Sequence, residues 1–273
     1  MMNIAIIGCG YTGSAIANHL RKDYVVTATT TSPERVAELE AIAHRVIVIR
    51  GDDPSLITAL ENQEAVILTL APTSDQQVDA EGYAATYLDT AKNLVVLLQQ
   101  SSVKQVIYTS SSAVYGNSNG EWVNEDSPTA PVNGQGEVLR DTEQVLLKLH
   151  QMNVCIFRLG GIYGSERELS DRFSDYAGKT IPGTGENFTN WSHLEDIVSA
   201  VEFALKNRLN GIYNLVSDMT LTSRELLDTV CEKQGLAKIQ WDTLKAKARP
   251  NIRVSNQKLK AAGYQFIHTD LIF

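Results

Sequence analysis

Glycines at positions 8, 10 and 13, set between an apolar run and a helix pattern, constrain this chain more than any other feature. Ile4-Ala5-Ile6-Ile7 reads as a buried strand. It runs directly into Gly8-Cys9-Gly10-Tyr11-Thr12-Gly13, a G-x-G-x-x-G spacing, and Ser14–Leu20 then opens a helix with one apolar face. Strand, glycine turn and helix in that order are the context a dinucleotide fingerprint requires. Gly8 permits the tight turn, Gly10 lets the backbone approach a pyrophosphate, and Gly13 allows helix to pack on strand. The helix start turns N–H groups and a positive dipole end toward phosphates. Gly8, Gly10, Tyr11, Thr12 and Gly13 are therefore candidate cofactor contacts. The bland alternative, a glycine-rich turn with no ligand, does not account for the ordered context.

A second strand, Tyr24–Thr30, ends in Thr29-Thr30-Thr31-Ser32 followed by Pro33-Glu34-Arg35. An NAD site carries an Asp or Glu at this end to hold the ribose 2′-hydroxyl. Hydroxyls and a guanidinium suit a 2′-phosphate better, so Thr30, Thr31, Ser32 and Arg35 point to NADP, with NAD left open and Glu34 opposing the phosphate. Ser32 also reads as a helix cap ahead of Pro33. A third strand, Val46–Ile49, leads to Asp52 and Asp53; Asp53 caps the helix starting at Pro54, which leaves Asp52 to face an adenine. The fourth strand, Ala65–Leu70, ends in Leu70-Ala71-Pro72-Thr73, and Leu70, Ala71 and Pro72 join the candidate cofactor edge.

A helix from Asp79 to Ser101, a fifth strand Gln105–Thr109, a helix from Gln135 to His150 and a sixth strand Val154–Leu159 complete the alternation. Such alternation predicts an α/β fold of Rossmann type, a doubly wound parallel sheet with helices on both faces. From Ile162 the pattern is mixed. Short strands near Phe188–Trp191 and Gly211–Leu215 alternate with helices near Leu194–Lys206 and Thr222–Gln234. Residues 1–161 read as the nucleotide-binding domain, and residues 162–273 as a smaller mixed α/β lobe interleaved with the end of the sheet.

Charge and cysteine usage narrow the function. A net charge of -8 over 273 residues argues against a nucleic-acid partner. Cys9, Cys155 and Cys231 show no C-x-x-C spacing, and the five histidines are scattered, so neither a metal nor a disulfide framework is indicated. No apolar stretch is long enough to span a membrane, and the N-terminus reads as a strand rather than a signal peptide. The expectation is a cytoplasmic protein acting on a small molecule.

At Ser110-Ser111-Ser112-Ala113-Val114-Tyr115-Gly116 the chain becomes recognisable. Together with the glycine fingerprint, Gly51-Asp52, Arg158 with Gly161-Ile162-Tyr163-Gly164, His193-Leu194-Glu195-Asp196 and Tyr213-Asn214-Leu215, it resembles the extended short-chain dehydrogenase/reductase superfamily, in an atypical branch. That superfamily contains the nucleotide-sugar epimerases and dehydratases. The resemblance implies a Tyr that exchanges a proton, a Lys four residues later, a Ser that bonds the substrate, and an Asn on the helix after the fourth strand. Ser111 falls on the Ser. Anchoring the later helix on Glu143 places Leu139 at the Lys and Gln135 at the Tyr, and the Asn falls near Tyr87. No Tyr occurs from Gly116 to Gln151, so another register does not restore the pair. Gln carries no proton on and off near neutral pH, and Leu lowers no neighbour's pKa.

Tyr115, Tyr11 and Tyr163 are the nearest replacement acids, against a packed or substrate-contacting role. Glu125 and Asp126 read as loop charges and His193 as structural. Asn190 stands near where relatives carry an Arg for a nucleotide diphosphate. The resemblance thus implies an NAD(P)-dependent oxidoreductase or epimerase/dehydratase-like enzyme without the usual Tyr–Lys pair, with a non-catalytic NADP(H) sensor as the alternative and an empty scaffold last. The helices after the fourth and fifth strands are those that pair two subunits in relatives, which implies a homodimer.

Overall fold

In the computed structural model, residues 1–72, 79–245 and 249–273 are described. Seven strands form one sheet: β1 Met2–Ile7, β2 Tyr24–Thr30, β3 Arg45–Val48, β4 Ala65–Leu68, β5 Gln105–Ser111, β6 Asn153–Leu159 and β7 Gly211–Leu215. Their spatial order is β7-β6-β5-β4-β1-β2-β3, with β1–β2, β2–β3, β1–β4 and β4–β5 paired in parallel. This is the doubly wound order, and the chain reverses direction across the sheet between β1 and β4, where ligands bind at the carboxyl edge. Ile4–Ile7 and Ala65–Leu68 are essentially inaccessible, as expected of parallel strands covered on both faces.

The longer helices are α1 Tyr11–Leu20; α2, made of Ala80–Ala84, a π turn Ala85–Asp89 and Thr90–Leu98; α3 Gly134–Leu146; α4 Leu194–Asn207; and α5 Ser223–Lys233. The pattern from Asp79 to Ser101 reads as an uninterrupted helix; the structure inserts the π turn, which coincides with the Tyr83 and Tyr87 rings lying 4.6 Å apart. Gly51 is needed beside this helix, because a Cβ there would stand 2.3 Å from the Thr90 hydroxyl. Gly211–Leu215, read from sequence with the smaller lobe, is the edge strand of the main sheet next to β6.

The chain divides into two compact units: Met1–Ser111 with Asn133–Phe157 and Val198–Tyr213, and Ser112–Val132 with Arg158–Ile197 and Asn214–Phe273. The second unit is built on two-stranded ladders, among them Gly161–Tyr163 with Trp191–His193 and Trp122–Val123 with Arg253–Val254. Tyr163, Leu169, Trp191, Leu226 and Leu271 form one of its cores. α5 begins with a capping box between Thr222 and Glu225. No helix among the described residues is long and apolar enough to cross a membrane.

Candidate dinucleotide site

β1 delivers the chain into the glycine loop at the point where the sheet reverses. Gly8 adopts φ +85°, a left-handed conformation that glycine takes without strain. Its N–H donates to the Thr29 hydroxyl at 3.1 Å, and the next amide, of Cys9, donates to the Thr29 carbonyl at 2.8 Å. From the other neighbour, the Thr69 hydroxyl donates to the Gly8 carbonyl at 2.8 Å. The turn is thus pinned to β2 on one side and to the end of β4 on the other. Thr29 and Thr69 hold the loop, yet neither belongs to the fingerprint. The signal for them was only a hydroxyl residue beside each strand end at the switch point.

The three glycines are distinguished by what a side chain would meet. At Gly13 a Cβ would lie 2.6 Å from the Thr69 hydroxyl and 2.9 Å from the Gly8 carbonyl, and at Gly8 it would press on Leu70 at 3.2 Å. At Gly10 nothing lies within 4 Å. Packing therefore accounts for the first and third glycines and leaves the second facing open space. That is the arrangement a backbone needs to admit a pyrophosphate. α1 starts at Tyr11, immediately after Gly10, so Tyr11, Thr12 and Gly13 form the first helical turn, whose amides have no intrahelical acceptor. The residues present fit a dinucleotide.

Arg35 comes to the same loop from the turn after β2. Its Nη1 donates to the Cys9 carbonyl at 2.6 Å and its Nη2 to the Ser14 hydroxyl at 3.1 Å. The Glu38 carboxylate accepts from Nε at 3.3 Å and Nη2 at 2.9 Å. This hydrogen bond holds Glu38 below, and Arg35 above, its ordinary pKa. Glu38 was missed in the sequence, where an exposed Glu three residues after an Arg reads as a helix surface charge. Cys9 is a packing residue: burial pushes its thiol up to about 11 despite Ser14 and Arg35 nearby.

Thr30 is buried and accepts the Ser32 amide through its hydroxyl at 3.1 Å; Thr31 is exposed. Ser32 occupies the cap position before Pro33, but its side chain makes no capping bond, because the Arg35 amide it would take donates to the Ser32 carbonyl at 3.1 Å instead. Asp53 caps as expected, accepting the Ser55 amide at 2.7 Å. Asp52, expected to face an adenine, holds the Arg50 guanidinium at 2.9 and 3.1 Å. Leu70 and Pro72 are half-buried and Ala71 exposed at the end of β4; Thr73 lies outside the described residues.

Ser111, at the end of β5, is half-buried. On α3, Gln135, Leu139 and Glu143 recur at four-residue spacing, the spacing of one helix face. Gln135 is exposed, Leu139 is buried, and Glu143 is buried with the Ser110 hydroxyl donating to it at 2.6 Å. Tyr87 is buried, and burial carries its pKa well above the usual value.

The other candidate side chains are occupied within the second unit. Tyr115 donates to the Asn214 Oδ1 at 2.7 Å under the Arg158 guanidinium, 4.7 Å from the ring centre. Burial raises its pKa, and it pushes Tyr163 up to about 12. Glu125, read as a loop charge, accepts the Asn214 amide at 2.6 Å. Asn190 donates to the Ile252 carbonyl at 3.1 Å and accepts the Val254 amide at 2.9 Å, so its amide ties down the later strand. His193 Nδ1 accepts the Glu195 amide at 3.2 Å, the bond of a helix cap. His193, Glu195 and His268 bring ligand-type atoms within 4.8 Å of one another. With Nδ1 of His193 an acceptor, its neutral ring carries the proton on Nε2, and His268 Nε2 is spent on Glu195 at 2.6 Å. That donor set is a cap and a His–carboxylate pair rather than a metal cradle.

A doubly wound sheet whose glycine loop is packed at Gly8 and Gly13 and open at Gly10 is the dinucleotide-binding class of fold. More closely, the chain belongs to the NAD dependent epimerase/dehydratase family, which it matches over residues 4–215. It is similar to Protein YeeZ of Escherichia coli K12, 29% identical over 284 residues that cover 99% of this chain and 97% of that one. It is also similar to ADP-L-glycero-D-manno-heptose-6-epimerase of Brachyspira hyodysenteriae, 22% identical with 96% and 92% covered. In fold it is similar to a UDP-glucuronic acid 4-epimerase from Bacillus cereus solved in complex with NAD, with TM-score 0.77, 18% identity, and 94% and 90% covered.

Proposed function

We propose that this chain is an NADP-preferring enzyme of the epimerase/dehydratase type that works on a small polar substrate without the Tyr–Lys pair. The observation that carries the cofactor reading is Arg35 lying on a glycine loop whose Gly10 faces open space, with Thr30, Thr31 and Ser32 in place of an acid at the end of β2. Gly8, Gly10, Tyr11, Thr12 and Gly13 would hold the pyrophosphate. Thr31, Ser32 and Arg35 would hold the 2′-phosphate, and Leu70, Ala71 and Pro72 would border the site beside them. When bound, a nicotinamide cofactor supplies hydride transfer.

The chain's own contribution is positioning. Ser111 would donate a hydrogen bond to the substrate oxygen, while Gln135 and Leu139 keep proton traffic off α3. The proton then comes from water or from the substrate side. The reading includes a cytoplasmic setting and a homodimer through α2 and α3. A second reading, an NADP(H) sensor without turnover, is supported by Leu139, an apolar side chain buried where the resemblance puts the Lys. The two separate in one assay. Carbonyl and alcohol substrates are screened for absorbance change at 340 nm with NADPH or NADP. A substrate-dependent change at 340 nm, or conversion of substrate to product with the cofactor returned to its starting state as epimerisation and dehydration require, in either case lost in Ser111→Ala, supports the enzyme; tight binding with neither across the screen supports the sensor.

A further inference from the structure

The Arg35 guanidinium divides its donors between two partners. Nη1 faces the Cys9 carbonyl at 2.6 Å, while the Nε and Nη2 edge faces the Glu38 carboxylate at 3.3 and 2.9 Å, with Nη2 shared to Ser14 at 3.1 Å. That edge is the one that grips a planar carboxylate or a phosphate with two parallel bonds. We propose that Glu38 sets the cofactor selectivity of the site: its carboxylate stands in for a 2′-phosphate on Arg35, and binding of a 2′-phosphorylated dinucleotide exchanges one anion for the other. The inference rests on the reading of Arg35 as the 2′-phosphate residue.

Two features make the exchange feasible. The Glu38 side chain is 60% exposed and that of Arg35 29%, so the displaced carboxylate swings into water, and an exposed pair of this kind is weak. The Nη1 bond to Cys9 lies away from the exchanging edge, so the loop keeps its tie to Arg35 while the partner changes. Glu38 is held below the ordinary carboxylate pKa by Arg35, and it therefore stays ionised and competing throughout the neutral range. NADH brings no 2′-phosphate, displaces nothing on Arg35, and binds independently of Glu38.

The test titrates wild type, Glu38→Ala and Glu38→Gln with NADPH, NADH and adenosine 2′,5′-bisphosphate. Removing the competitor tightens NADPH and the bisphosphate by about two- to fivefold, the range for one exposed pair, and leaves NADH unchanged. Both variants change an exposed side chain, and their circular dichroism is compared with wild type. An unchanged NADPH-to-NADH ratio in both variants, or equal weakening of both cofactors, overturns the proposal and leaves Glu38 as a clamp for Arg35. The wild-type ratio is a separate result. A wild type that favours NADH removes the preference, yet a shift toward NADPH in Glu38→Ala still upholds the role of Glu38.

Discussion

The Thr69 hydroxyl donates to the Gly8 carbonyl at 2.8 Å, joining the end of β4 to the first glycine at the reversal point of the sheet. The same oxygen fills the place a side chain at Gly13 would need, 2.6 Å from the Cβ position. Gly13→Ala is therefore expected to destabilise the fold by about 1–3 kcal/mol, the range for overpacking. Thr69 can rotate away, but the Gly8 carbonyl at 2.9 Å is backbone and cannot. A denaturant midpoint measured against wild type checks this.

Gly10→Ala should behave in the opposite way. Gly10 has φ -82° and ψ -151°, open to any residue, and its Cβ position meets nothing within 4 Å. Stability is expected to be unchanged or raised by up to about 1 kcal/mol. Dinucleotide affinity is expected to fall by about tenfold or more, since a methyl group would stand where the pyrophosphate must come close. Midpoint and cofactor titration on the same variant separate the two effects.

These two glycines show what was legible. The fingerprint, strand β2 with its bounds and the cap at Asp53 follow from local pattern, because turn chemistry and apolar runs are written into neighbouring residues. Thr29, Thr69 and Glu38 were not legible, because each acts on a loop at least 20 residues away or through a side chain that reads as surface. Asp52 shows the converse: a local reading left it free, while Arg50 two residues earlier takes its carboxylate. The membership of Gly211–Leu215 in the main sheet depends on pairing with β6, more than 50 residues earlier, which no short window contains.

His193 supplies a pH dependence. Burial first, and His268 second, hold its pKa below the ordinary 6.5. The unfolded chain therefore binds this proton more readily than the folded one, and the contribution to stability is full above pH 6.5 and is lost as pH falls through the folded value. Protonation also removes the Nδ1 acceptor that caps α4. His193→Asn, which keeps a capping acceptor, is expected to flatten the fall in unfolding midpoint between pH 7 and pH 5. An equally steep fall in the variant would assign the dependence to other groups.

Asn190 bonds the backbone at both Ile252 and Val254. Asn190→Ala leaves one donor and one acceptor of the later strand without their partner, and a loss of about 1–3 kcal/mol is expected. Thermal unfolding and amide exchange at Val254 report it.

The loop from Gly8 to Gly13, with Arg35 lying on it, is the proposed site for a 2′-phosphorylated dinucleotide. A paired titration of the wild-type protein with NADPH and NADH, run beside Gly10→Ala, tests it most directly. Tighter binding of NADPH than of NADH, with both lost or weakened in a stably folded Gly10→Ala, is the predicted result. Equal or tighter NADH binding would contradict the 2′-phosphate assignment, and cofactor binding untouched by Gly10→Ala would contradict the site itself.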